Sequence, residues 1–178
     1  MTLLDFFKNT SNLKNISRQG WIDKLSIEHP ESVADHSYSM AIMAMIISDL
    51  ENYNSEKILK MVLLHDLAES KIGDLTPDQI SKDEKEQIEN NAFQEIIEKL
   101  PNSIKLQYAE IWKEYQKQTS RESQIVHQID RLEMALQAKI YEKSSLSKKD
   151  ISPFLETAKA DITHPKLKEL FTKIVEDQ

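Results

Sequence analysis

A chain of 178 residues and 20.7 kDa has the size of one ordinary domain with a hydrophobic core of its own. Its two glycines, Gly20 and Gly73, exclude the glycine-rich loops of dinucleotide and P-loop sites, and the lack of cysteine excludes disulfides, thiolate zinc sites and cysteine nucleophiles. A formal charge of -7 and a pI near 5.3 offer no surface for a nucleic-acid polymer.

The opening residues, Met1-Thr2-Leu3-Leu4-Asp5-Phe6-Phe7-Lys8, lack the basic region and apolar stretch of a secretory leader. The longest uncharged apolar run, Met40 to Ile47, is far too short to span a bilayer. The expectation is a cytoplasmic protein without membrane contact.

Helical periodicity dominates the chain, and an all-α fold of about seven to nine helices in one domain, residues 1–178, is predicted. A short helix is expected over Thr2–Lys8, then irregular chain to about Glu31. Ser32-Val33-Ala34-Asp35 has the form of a capping box and opens a helix to about Leu50. A third helix runs from about Ser55 to Gly73, a natural helix-terminating residue. Thr76-Pro77 reads as the start of a short helix. Further helices are expected at about Lys82–Leu100, Ser103–Lys117 and Arg121–Lys143, and Ser152-Pro153 and Thr163-His164-Pro165 open two C-terminal ones within residues 150–178.

Polar residues occupy core-facing positions on three of these helices. Ile58, Met61, Val62, His65 and Glu69 share one stripe of a helix whose other side carries Leu59, Leu63 and Leu67. His65, Asp66 and Glu69 are three ionisable groups in a buried turn, and each costs several kcal/mol unless compensated. Either a divalent cation or a hydrogen-bonded His–Asp–Glu cluster would compensate them. His36 lies on the stripe of Met40, Met43, Ile47 and Leu50, where it is a candidate third ligand or a hydrogen-bonded core residue. Asp130 lies at the edge of the stripe Ile125, Ile129, Leu132, Leu136 and Ile140; it is a candidate fourth ligand or a solvated partner of Arg131.

The pattern H…HD…D, as His36, His65-Asp66 and Asp130, resembles the HD-domain metal-dependent phosphohydrolases. Four longer blocks are similar to the 5′-deoxynucleotidase branch of that family: Arg18-Gln19-Gly20-Trp21, Glu31 to Ser37, His65 to Glu69 with Gly73-Asp74, and Asp130 to Glu133 with Gln137-Ala138. They span about residues 18–141, and the tail after Lys143 carries none of them.

The resemblance implies an HD-domain helical bundle that hydrolyses deoxynucleoside 5′-monophosphates. It implies one divalent ion, manganese, cobalt, iron or magnesium, on His36, His65, Asp66 and Asp130. Two-metal HD proteins need more histidines between the HD pair and the last aspartate, where this chain has only His127, read as structural. Glu69 would orient or deprotonate the attacking water, or support His65. Asp74 would serve as acid for the leaving 5′-oxygen, or finish a helix end. Arg18 would grip the phosphate with its planar fork. Trp21 would crowd the ribose 2′-hydroxyl, or anchor the core. The family commonly forms homodimers, and the stripe from Ile125 to Ile140 suits either a core or an interface. A different small phosphoester as substrate, or a non-enzymatic nucleotide-binding protein with a structural metal, are the alternatives. The acidic stretch Asp83 to Glu89 reads as a solvated helix face.

Overall fold

The computed structural model describes residues 2–144 and 149–177; Gln178, the end of the expected C-terminal helices, lies outside the described residues. The order is α1 (Leu3–Asn12), a 3-10 turn (Leu13–Asn15), α2 (Gln19–Leu25), α3 (Val33–Leu50), α4 (Ser55–Leu64), α5 (Glu69–Ile72), α6 (Lys82–Ile97), α7 (Asn102–Lys117), α8 (Arg121–Lys143), α9 (Ser152–Asp161) and α10 (Pro165–Glu176). With α4 and α5 counted as one interrupted element, nine helices stand among the described residues, and no strand longer than an isolated bridge. The expected all-α bundle is what the chain forms.

Side-chain caps set the helix starts. Ser32 accepts from Asp35 N while the Asp35 carboxylate accepts from Ser32 N at 2.9 Å, completing the box at the head of α3. Ser81 and Glu84 do the same for α6, and Ser120 accepts from Ser123 N at the head of α8. Val33, His36, Met40, Ala44 and Ile47 form the buried stripe of α3. Burying each large apolar side chain of such a stripe contributes about 1.5–3 kcal/mol. The long helix α8 packs against α3, α4, α7, α9 and α10, so its side chains reach most of the core. Ile125, Ile129 and Leu132 are buried, which assigns most of the α8 stripe to the core rather than to an interface.

Three local expectations change. The stretch expected to be irregular contains α2, a seven-residue helix too short to show a period, ended by Ser26 in the left-handed region at φ 56°. Ser17 bridges to Ser32, with Arg18 N donating to Glu31 O at 3.1 Å and Val33 N to Ile16 O at 2.8 Å. This pairing places Arg18 beside the start of α3. Thr76-Pro77 opens a turn, not a helix, with Gln79 N donating to Thr76 O at 3.0 Å.

The third change matters most. The helix from Ser55 does not run unbroken to Gly73. Leu67 N donates to Leu64 O at 3.1 Å, Glu69 N to Asp66 O at 3.0 Å and Ser70 N to Leu67 O at 3.2 Å, which is the tighter i→i−3 pattern. At the start of this turn His65 Nε2 lies 3.0 Å from Asp66 Oδ2. At the far end Gly73 adopts φ 78°, a conformation that a Cβ would strain, and turns the chain toward Asp74.

Candidate active site

His36 comes from the first turn of α3, His65 and Asp66 from the tight turn after α4, and Asp130 from the middle of α8. The two imidazoles are buried, and the carboxylates of Asp66 and Asp130 are 16% and 14% exposed. His36 Nε2 stands 3.3 Å from Asp130 Oδ1 and 3.8 Å from Asp66 Oδ2. Ligand atoms of His36, His65 and Asp66 all lie within 4.8 Å of one another, and Asp130 meets the group through His36.

Both histidines are oriented from behind. His65 Nδ1 lies 2.6 Å from Val62 O, a carbonyl that can only accept, so Nδ1 carries the proton and Nε2 faces the carboxylates. His36 Nδ1 lies 2.6 Å from Glu133 Oε2, and donation to that carboxylate turns Nε2 the same way. Such outer partners fix the tautomer and ring plane of a metal-binding histidine. Glu133, which the sequence marks only as part of a motif block, is a buried partner of His36.

The electrostatics call for a cation. Burial, then the Arg18 charge, pull the His36 imidazolium down, but the neighbouring Asp130 and Glu133 carboxylates outweigh them and push its pKa up to about 10. Burial would raise Asp66, yet His65, Arg18 and His36 hold it well below the usual carboxylate range. Asp130 is likewise held low, by His36, Arg131 and Arg18, against its burial. The buried atoms His36 Nε2, His65 Nε2 and Asp66 Oδ2 have no hydrogen-bond partner although they face one another. Two imidazole nitrogens and carboxylate oxygens suit a divalent ion of the harder or borderline kind. These residues fit a metal.

Glu69 sits one turn beyond His65, buried, with Oε2 unpartnered. Burial, then the charges of Asp66 and Asp74, raise its pKa well above the ordinary value. Asp74 Oδ2 accepts from Gln19 N, the first residue of α2, at 2.8 Å, and not from the end of the helix that precedes it. Arg18 Nη1 stands 3.6 Å from Asp66 Oδ2. Burial disfavours its charge, but Asp66, Asp130, Asp74 and Glu69 outweigh that and raise its pKa further. Trp21 is a core anchor with 2% exposure, its indole N–H donating to Glu31 Oε1 at 2.9 Å. Burial and the Glu133 charge push Glu31 up to about 7.

A cleft of about 380 Å³ adjoins these groups, lined among others by Arg18, Trp21, Asp74, Lys85 and Arg131. Arg131 Nη1 lies 3.5 Å from Asp130 Oδ2, which ties the cleft wall to the ligand group. Lys85 and Glu89 belong to the stretch expected to be solvated, yet both are half-buried here. Lys85 Nζ donates to Leu75 O at 2.6 Å, and Glu89 is raised by its burial. They lie at i−8 and i−4 from buried Phe93, in line with the inward stripe of α6. Tyr115, whose ring meets His65 edge-on at 5.7 Å, was also not anticipated. It stacks on His127 at 4.1 Å and accepts from His127 Nε2 at 3.0 Å through its carbonyl, so His127 is engaged away from the ligand group.

Comparison with known proteins fits this geometry. The HD-domain family model matches residues 10–170. The chain belongs to the HD-domain family. Human 5′-deoxynucleotidase HDDC2 is 36% identical to this HD protein over 174 residues, covering 97% of this chain and 84% of its own. Its namesake from Dictyostelium discoideum is 37% identical over 186 residues, covering 98% and 97%. Among solved structures, the PH0347 protein from Pyrococcus horikoshii OT3 superposes with a TM-score of 0.82 at 30% identity, covering 98% of this chain and 99% of its own. This HD protein stands in the branch whose curated members are named 5′-deoxynucleotidases. Among the described residues no helix is long and apolar enough to cross a membrane.

Removing the partner of His36 is the direct check on the ligand geometry. Glu133→Ala is expected to weaken manganese binding by about 10–100-fold in a metal titration, with helical content unchanged by circular dichroism. Wild-type affinity in a folded Glu133→Ala protein would contradict it.

Proposed function

We propose that this chain hydrolyses deoxynucleoside 5′-monophosphates to deoxynucleoside and inorganic phosphate, using one divalent ion held by His36, His65, Asp66 and Asp130. The observation that carries this reading is a junction. Buried imidazole and carboxylate atoms that lack partners adjoin a nucleotide-sized cleft, and Arg18 reaches from that cleft to Asp66. The relatives' names supply the substrate class. Manganese, cobalt, iron and magnesium all match the donor set.

When bound, the ion supplies Lewis acidity toward a phosphoryl oxygen and lowers the pKa of water beside it. The rest is the work of side chains. Arg18 binds the phosphate oxygens with a charge that the surrounding carboxylates hold permanently. Glu69, with a raised pKa and a free oxygen, takes the proton of the attacking water. Asp74 has one oxygen tied to Gln19 N, which fixes the carboxyl, and its other oxygen delivers the proton to the leaving 5′-oxygen. Trp21, rigid in its own packing, stands in the wall that would crowd a ribose 2′-hydroxyl.

We further propose a homodimer formed through α3. Opposite its buried stripe, α3 exposes Tyr38, Ile42, Met45 and Ile46, and Leu63 continues this surface across the groove shared with Tyr38. Apolar patches on this scale mark interaction surfaces.

Two measurements test these readings. Chelator-treated protein resupplied with each metal is expected to release phosphate from 5′-deoxyribonucleoside monophosphates in preference to ribonucleotides. Asp66→Ala is expected to lose more than about 100-fold in rate, beyond the cost of removing a supporting partner. Metal-bound protein that releases phosphate from no monophosphate would contradict the activity and favour a nucleotide-binding role. By light scattering, the wild type is expected to have twice the mass of one chain and Ile42→Glu the mass of one; a wild-type monomer would contradict the dimer.

A further inference from the structure

The lining of the cleft is chemically mixed. Arg18, Arg131, Lys85 and Asp74 contribute charge, and Trp21, Met134 and Phe154 contribute apolar surface. Two aromatic rings therefore face the same space, but they are not equally available. Trp21 is 2% exposed, its N–H is committed to Glu31, and Tyr141 meets it edge-on at 5.4 Å. The Phe154 ring lies against the indole at 4.5 Å, tilted by 34°, and is itself only half-buried.

We propose that Phe154 is the platform on which the base of the nucleotide stacks, with Trp21 as its rigid backing. This rests on the nucleotidase reading above and assigns to α9, which lies beyond the recognisable motif blocks, a part in substrate selection. A platform must be held still to contribute affinity, and α9 is held at both ends. Ile151, Ala158 and Ile162 are buried beneath it. Arg131 Nε donates to Asp161 Oδ2 at 3.0 Å while its Nη1 faces Asp130, so one guanidinium links α9 to the candidate ion ligand. Gln128 Oε1 accepts from Thr163 N at 2.8 Å and His164 N at 2.7 Å, fixing the chain just after the helix. Stacking reads the face of a base, which every base has, and not its hydrogen-bonding edge. The protein should therefore accept all four bases with similar KM.

The test compares a nucleotide with its base-free counterpart in the manganese-loaded protein. For deoxyadenosine 5′-monophosphate, Phe154→Ala is expected to raise KM by roughly tenfold or more, the effect of losing one base–aromatic stack, with a much smaller change in kcat. For 2-deoxyribose 5-phosphate the rise in KM should be far smaller, so the preference for the nucleotide collapses. Phe154→Tyr should restore it. Equal losses on both esters, or no loss on either, would overturn the proposal. If the wild type hydrolyses neither ester, the nucleotidase reading fails by itself, and calorimetric titration with deoxyadenosine 5′-monophosphate then decides the role of Phe154. Binding weakened about tenfold in Phe154→Ala supports the platform; equal affinities, or no binding to either protein, overturn it.

Discussion

Two imidazoles and two ionised carboxylates share one nearly buried pocket of this bundle, and the rest of the structure is arranged around matching that charge. An uncompensated ion in such a place costs several kcal/mol, more than any single apolar side chain returns by burial. Hydrogen bonds answer part of the demand. Glu133 and the Val62 carbonyl take the outward-facing N–H groups of the two histidines. Arg18 and Arg131 stand against Asp66 and Asp130. What these partners do not satisfy is the inner face, where His36 Nε2, His65 Nε2 and Asp66 Oδ2 confront one another. A divalent cation would complete the balance there, beside the cleft that Arg18 and Arg131 line.

The fold serves this by bringing donors from separate elements to one point. His65 and Asp66 stand where α4 gives way to the tighter turn after Leu64, with His65 Nε2 3.0 Å from Asp66 Oδ2. The long α8 carries Asp130, Arg131 and Glu133 on successive faces: one toward the ligand group, one along the cleft, one behind His36. Pairing of residues 16–18 with 31–33 fixes Arg18 to the start of α3, one turn before His36. Arg18 and His36 are thus held on one frame.

Much of this was legible in the sequence because core-facing polar residues are costly and therefore conspicuous. His36 on the α3 stripe and His65-Asp66 in an otherwise apolar helix stand out by that test. Glu133 passes it too, lying one turn after buried Ile129, and the same reasoning carried one residue further would have placed it inward. The tightened turn at 65–68 was not legible, since a single i→i−3 turn inside a helical run leaves the apolar period almost unchanged. Nor was α2, where seven residues with a glycine among them show no usable period. Lys85 and Glu89 lie two turns and one turn before buried Phe93 on α6, so its apolar stripe Ala92, Phe93, Ile96 and Ile97, followed back along the helix, would have marked their inward side. Phe154 lies in a tail without recognisable motifs, and only the packing of α9 on α8 brings it to Trp21.

Crystals grown with manganese and measured at its absorption edge would test the central claim most directly. One anomalous peak is expected, bounded by His36 Nε2, His65 Nε2 and the carboxylates of Asp66 and Asp130, next to the cleft lined by Arg18. No peak among these four residues in protein that binds manganese in solution, or a peak held by other side chains, would contradict it.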